Sequence, residues 1–139
     1  MKLEFLILTG GVLHFLILIA SVQVPRLLDW KGHFAKLPEH LRVLFWVYGA
    51  FIVLTIVGFG ALSLLFSGEI AAGSPLARGF AGFVAVFWVA RLVVQFWIFD
   101  AKAMLTRSIH RVGYHVLTGL FVLLVLIYAT AAIKPDLFV

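Results

Sequence analysis

The sequence predicts an all-α integral membrane protein: an antiparallel four-transmembrane-helix bundle with a short amphipathic interfacial helix between the first and second spans. Three observations predict it. Of 139 residues, 64% are hydrophobic and 12% charged, with a mean hydropathy of +1.16, against about 45–50% apolar and about 25% charged in soluble domains. The apolar residues gather into four runs, about 3–24, 43–66, 77–99 and 112–133, each near the ~20 residues a helical span needs. None alternates as a barrel strand would. Finally, the connections are short, which makes consecutive helices antiparallel neighbours within one domain, 1–139.

Charge position sets the expected orientation. Seven of the eleven Lys/Arg residues lie in the first and third connections, namely Arg26, Lys31, Lys36, Arg42, Lys102, Arg107 and Arg111, whereas Lys2, Arg78 and Lys134 fall on the other side. By the positive-inside rule these two connections are cytoplasmic and both termini are outside, in the periplasm if the membrane is a bacterial inner membrane. The net charge of +5 therefore reflects topology and does not point to nucleic acid. There is no cysteine, so disulfides, thiolate metal sites, iron–sulfur clusters and thiol catalysis are excluded.

The first run is read as a span and not a signal peptide, because it is long, contains His14 and Gly10-Gly11, and lacks an A-x-A site. Gly10, Gly11, His14 and Ser21 share one stripe, the kind of small and polar face that helices present to each other in lipid. Between Pro25 and Pro38, the residues Leu27, Trp30, Phe34 and Leu37 fall on one face, with Arg26, Asp29, His33 and Lys36 opposite. This spacing predicts the amphipathic interfacial helix, although Gly32 weakens it. On the second span Tyr48 and Thr55 align, with Ser63 nearby. Ser74 followed by Pro75 predicts an N-cap and the start of the third helix.

That third span carries the leading functional candidate. Arg91 and Gln95 lie inside an otherwise apolar run, and a charge at such depth costs roughly 2.5–3.5 kcal/mol on insertion scales, so it normally faces protein or a water-filled cavity. Ala77, Ala81, Val84, Trp88, Arg91 and Gln95 share a sector of about 80°, with Val86, Val89, Ala90, Val93 and Trp97 opposite. On the fourth span His115, Gly119, Val122, Leu126 and Ala129 form one stripe, with Tyr128 near the outer interface. Counted from the basic ends, Gln95 and His115 lie within about one turn, Tyr48 and Arg91 about one turn deeper, and His14 near the midplane. The expected site is an inner-half polar pocket of Arg91, Gln95, Tyr48, His14 and His115, with Asp100, His40 and His110 at its mouth.

The chemistry open to this set is narrow. No H-x-x-x-H or H-E-x-x-H spacing supports a zinc hydrolase, no paired intramembrane carboxylates support a proton relay, and no Gly-x-Ser-x-Gly turn or phosphate loop is present. No catalytic residues are assigned. Haem b is the cofactor that histidines on cysteine-free helices suggest. His14 and His115 differ in depth by about 10 Å, too far for a level axial pair, which leaves single ligation by His14 with Arg91 on a propionate. Val24-Pro25-Arg26-Leu27-Leu28, after a histidine-bearing first helix, faintly resembles the start of the small four-helix protoporphyrinogen oxidase family. The resemblance covers five residues, and the family's further histidine and lysine pattern is not apparent here.

An anionic ligand suits Arg91 better, since a guanidinium offers bidentate hydrogen bonds to carboxylate or phosphate. The leading expectation is a non-catalytic accessory or interaction subunit, embedded in the bilayer as a homo-oligomer or part of a larger complex, that binds an anionic lipid-like ligand or a partner. The alternatives are a b-type haem redox protein using His14 and a small transporter or channel subunit.

Overall fold

Long apolar runs with few breakers produce helix wherever the chain is described. The computed structural model describes residues 2–23, 30–98 and 108–136, and the regular structure among them is all helical. In chain order the elements are α1 (Leu3–Val22), α2 (Trp30–Phe34), α3 (Glu39–Leu65), α4 (Ser67–Ala72), α5 (Pro75–Val93), a π-helical turn over Val94–Ile98, and α6 (Ser108–Ile133). Among the described residues, four stretches are long and apolar enough to cross a membrane: Leu3–Val22, Glu39–Leu65, Pro75–Ile98 and Arg111–Ile133.

The boundaries follow local chemistry. α5 starts as its sequence predicts, with the Ala77 N–H donating to Ser74 Oγ at 3.2 Å and Pro75 in the first turn, where its missing N–H does no harm. α3 begins four residues earlier than the apolar run, directly after Pro38. Of the expected interfacial helix, the described residues show the five of α2, and residues 24–29 lie outside the described residues. Between α3 and α5, Ser67–Ala72 closes a further helical turn and a half before Gly73 ends it at φ 76°. Glycine takes that left-handed conformation without penalty, and an added Cβ there would lie only 2.7 Å from Pro135 Cγ. Expectations placed on Leu27 and Asp100, and on the side chains of Trp30 and His110, lie outside the described residues.

Two close helix pairs carry the packing. α5 and α6 run antiparallel, matched by Arg78 with Ala132, Trp88 with Phe121 and Gln95 with Thr118. α1 and α3 also run antiparallel, and their approach is set by glycine: a Cβ on Gly11 would stand 3.1 Å from the Gly60 carbonyl oxygen, and one on Gly60 would stand 3.2 Å from His14 Cβ. Such close backbone contact is what small residues provide where no hydrophobic driving force separates protein from lipid. Gly10 lets Tyr128 of α6 reach α1 in the same way, and Phe59 of α3 touches the rings of Phe80, Phe83 and Phe87 on α5.

The core is not spread evenly along the helices. In α3 the buried residues are Ile56, Phe59, Gly60 and Ser63, whereas of residues 43–54 every one except Gly49 is exposed. At the α4 end, Arg78 Nε donates to the Ala132 carbonyl at 2.7 Å and Nη2 to that of Ile133 at 3.2 Å, closing the C-terminus of α6. Among the described residues, α3 is therefore packed near the α4 end and exposed over most of its first half.

On α5 the expected face is buried through Ala77, Ala81, Val84 and Trp88, while Val86 and Trp97 opposite are 65% and 78% exposed. The α6 face differs from the expected stripe. Phe121, Leu124, Ile127, Tyr128 and Ala131 are buried, and His115, Gly119, Val122 and Leu126 are exposed. Tyr128 is fully buried, because Gly10 leaves room for its ring and Ser63 provides a partner for its hydroxyl.

Candidate functional site

His14 lies at the centre of the packed half. Glycines at 10, 11 and 60 bring the surrounding backbones close, and the imidazole is fully buried among the rings of Phe59, Trp88 and Tyr128, with centroids 5.9, 5.5 and 5.6 Å away. Both ring nitrogens are engaged. Nδ1 is 2.7 Å from the Gly10 carbonyl oxygen, which can only accept, and Nε2 is 2.9 Å from Trp88 Nε1, which can only donate. Those two partners fix one neutral tautomer, with the proton on Nδ1. One turn toward the α4 end, Ser63 and Tyr128 share a hydrogen bond of 2.5 Å between their hydroxyls, both side chains being fully buried.

Trp88 links this cage to the basic end. Its indole stacks on Phe121 at 5.0 Å and 20° between planes, and the Arg91 guanidinium lies over the same Phe121 ring, 5.3 Å from its centroid. A helical side chain leans toward the N-terminus of its helix, so Arg91 leans back toward Trp88 and away from the basic end. The residue is exposed, and among the described residues its guanidinium has no hydrogen-bond acceptor and no ion-pair partner. Five N–H donors and a full charge are thus held within a span over an aromatic face.

Gln95 makes a separate polar pair. It sits in the π-helical turn, a form that often occurs at functional positions. It is buried, and its Nε2 donates to Thr118 Oγ1 at 2.5 Å, which in turn donates to the Tyr114 carbonyl at 2.8 Å.

Of the five residues expected to converge, His14 and Gln95 are buried in different hydrogen-bonded pairs, and Arg91 joins His14 only through Phe121 and Trp88. Tyr48, in the first half of α3, is 60% exposed. His115 is exposed, with its ring edge on Tyr114 at 5.5 Å. No hydrogen bond or ring contact joins either one to Arg91 among the described residues. His40, expected at the mouth, is exposed at the start of α3. Of the interfacial residues, Phe34 is half-buried against Phe45 and Trp46 at 4.6 and 6.2 Å, and Leu37 is 39% exposed. Ser63, Tyr128, Phe121 and Thr118 enter the polar and aromatic arrangement without a spacing signal, since each meets its partner across different helices.

His14 does not fit haem ligation in this arrangement. An axial bond needs a free nitrogen lone pair and a macrocycle beside it, whereas the Nε2 lone pair accepts from Trp88 and three aromatic rings close the space. Among the described residues no group of three or more His, Cys, Asp or Glu is placed to hold a metal ion. The purified protein, supplied with haem, is expected to show no Soret band; a band lost on His14→Ala would overturn this. Comparison with protein-family models, curated proteins and solved structures found no match for the chain. The functional argument therefore rests on the site itself.

Proposed function

We propose that the chain is a non-catalytic accessory or interaction subunit, an antiparallel four-helix bundle of a bacterial inner membrane with its basic connections in the cytoplasm. Its working feature is Arg91, which offers a binding point for an anionic group on the cytoplasmic side of the bundle. The observation that carries this is the guanidinium over Phe121 with all five donors unfilled by the described residues. A charge within a span is retained at a cost of roughly 2.5–3.5 kcal/mol, which favours a partner that neutralises it. Arginine also suits carboxylate and phosphate oxygens better than lysine, through its planar fork of donors. The engaged nitrogens of His14 support a structural role for that residue and weaken the redox alternative.

Native mass spectrometry of the full chain from mild detergent tests the proposal. An anionic lipid or a partner should be retained, and Arg91→Leu should remove it while leaving the fold intact by circular dichroism. A bare monomer in both cases would overturn it.

A further inference from the structure

The corner between α2 and α3 is built from groups that the function proposed above does not use. Backbone hydrogen bonds hold its path: the Ala35 N–H donates to the Lys31 carbonyl at 3.2 Å, the Leu37 N–H to that of Phe34 at 3.0 Å, and the Arg42 N–H to that of Pro38 at 3.1 Å. Phe34 folds back onto α3, where its ring meets Phe45 at 4.6 Å and Trp46 at 6.2 Å. Arg42 precedes those two residues by three and four positions, and side chains so spaced are neighbours on one helix face. The aromatic contact and Arg42 therefore share the side of α3 on which Phe34 packs. Arg42 is half-buried, while Lys31, Lys36 and Glu39 of the same corner are exposed. Among the described residues the Arg42 side chain has no hydrogen-bond acceptor, and Glu39, three residues earlier, makes no ion pair with it.

The length of α3 sets the depth of this corner. The helix has 27 residues, about 40 Å at ~1.5 Å per residue, against ~30 Å of hydrocarbon in a bilayer. Its last turn carries Leu62, Leu64 and Leu65, whereas Glu39, His40 and Arg42 stand at its start, so the surplus of about 10 Å falls at the start. Trp46, seven residues after Glu39 and about 10 Å along the axis, then lies at the hydrocarbon boundary, the level at which tryptophan concentrates. Arg42 is one turn further out, and its side chain leans toward the start of the helix, as helical side chains do. That direction carries the guanidinium to the level of lipid phosphates. We propose that this corner is a headgroup site for an anionic phospholipid. Arg42 takes the phosphate through its planar fork of donors, and the acyl chains lie along Phe45 and Trp46, which are 42% and 51% exposed. Residues 31–42 carry Lys31, Lys36 and Arg42 against Glu39 alone. This surplus of positive charge favours a net-anionic headgroup over a zwitterionic one, which brings its own cation. The site is separate from Arg91 and does not rest on the reading given to that residue.

The test uses the full chain with Trp30→Phe and Trp97→Phe, which leaves Trp46 and Trp88 of the four tryptophans. Trp88 is only 1% exposed, so quenching by lipids brominated on their acyl chains reports what lies beside Trp46. In phosphatidylcholine vesicles, brominated phosphatidylglycerol or brominated phosphatidylcholine is supplied at equal mole fraction. The site should prefer phosphatidylglycerol by about fivefold or more, the selectivity that roughly one cation supplies near an anionic surface. Arg42→Gln should lower the preference to about twofold or less, with the Trp88 emission unchanged as a sign that the bundle is intact. Arg42→Lys, which keeps the cation, should retain at least about half of the preference, and Arg91→Gln should leave it as it is. Equal quenching by the two lipids, or a preference untouched by Arg42→Gln, would overturn the proposal. So would a loss as complete in Arg42→Lys as in Arg42→Gln, since Arg42 would then shape the corner without binding the headgroup. A preference lost with Arg91→Gln alone would overturn it as well, and would support the anion-binding reading of Arg91. If the preference depends on Arg42 while native mass spectra show nothing retained through Arg91, the corner stands and the reading of Arg91 falls.

Discussion

Gly10→Ala is expected to destabilise the protein by about 2–4 kcal/mol, although alanine is the better helix former and the change adds one methyl group. The new Cβ would stand 2.9 Å from both the hydroxyl oxygen and Cε2 of Tyr128. That ring has no room to withdraw, because it is fully buried and bonded to Ser63 on a third helix. The methyl group therefore forces α1 away from α6 or breaks the Ser63–Tyr128 bond. Overpacking of a filled core costs about 1–3 kcal/mol, and interhelical hydrogen bonds in membranes have measured at about 0.6–1.7 kcal/mol. Reversible unfolding in mixed micelles measures the loss. Gly58→Ala is the control, since a Cβ there meets nothing within 4 Å, and its effect should stay within about 0.5 kcal/mol. In a Tyr128→Leu background Gly10→Ala should cost less than about 1 kcal/mol, because the clashing group is gone and the two sites are coupled. Equal costs for Gly10→Ala in the two backgrounds would show that Tyr128 does not fill this space.

The contrast between Gly10 and Gly58 shows what could be read from the chain and what could not. Span number, the Ser74-Pro75 helix start and the buried face of α5 follow from hydropathy, capping chemistry and the 3.6-residue period, all local properties. The small, polar stripe of Gly10, Gly11 and His14 was legible for the same reason. Which glycine is crowded depends on what another helix brings to it, and the sequence gives no information about that. Nothing local to Tyr128, near the end of the last span, signals that it is buried. Its burial depends on Gly10 and Ser63, more than sixty residues away. The candidate cluster was legible as residue types at related depths, and less so as contacts. Depth estimates placed Tyr48 beside Arg91, but α3 leaves the packed half after Ile56, and shared depth then no longer implies shared space.

His14→Leu and Trp88→Phe are expected to be costly singly and less than additive together. Leucine at 14 leaves the Trp88 N–H without an acceptor in a site closed to water, and a buried unsatisfied group costs about 1–3 kcal/mol. Loss of the edge contacts with Phe59 and Tyr128 adds to this, at about 0.5–1.5 kcal/mol for each aromatic pair. Phenylalanine at 88 strands His14 Nε2 in the same way and reduces the stacking surface offered to Phe121. Once one partner has gone, the second substitution removes a group that is already unpaired. A double-mutant cycle should therefore show a coupling of about 0.6–1.7 kcal/mol, and a coupling indistinguishable from zero would mean that the bond contributes nothing. Trp88 also supports Phe121, over which Arg91 lies, whereas Ser63 is one turn away and touches neither. If the cage positions Arg91, Trp88→Ala should weaken Arg91-dependent retention of an anionic partner while Ser63→Ala, also destabilising, leaves it unchanged. Equal retention in the two variants would separate the cage from the binding point and leave His14 and Trp88 with a role in stability alone.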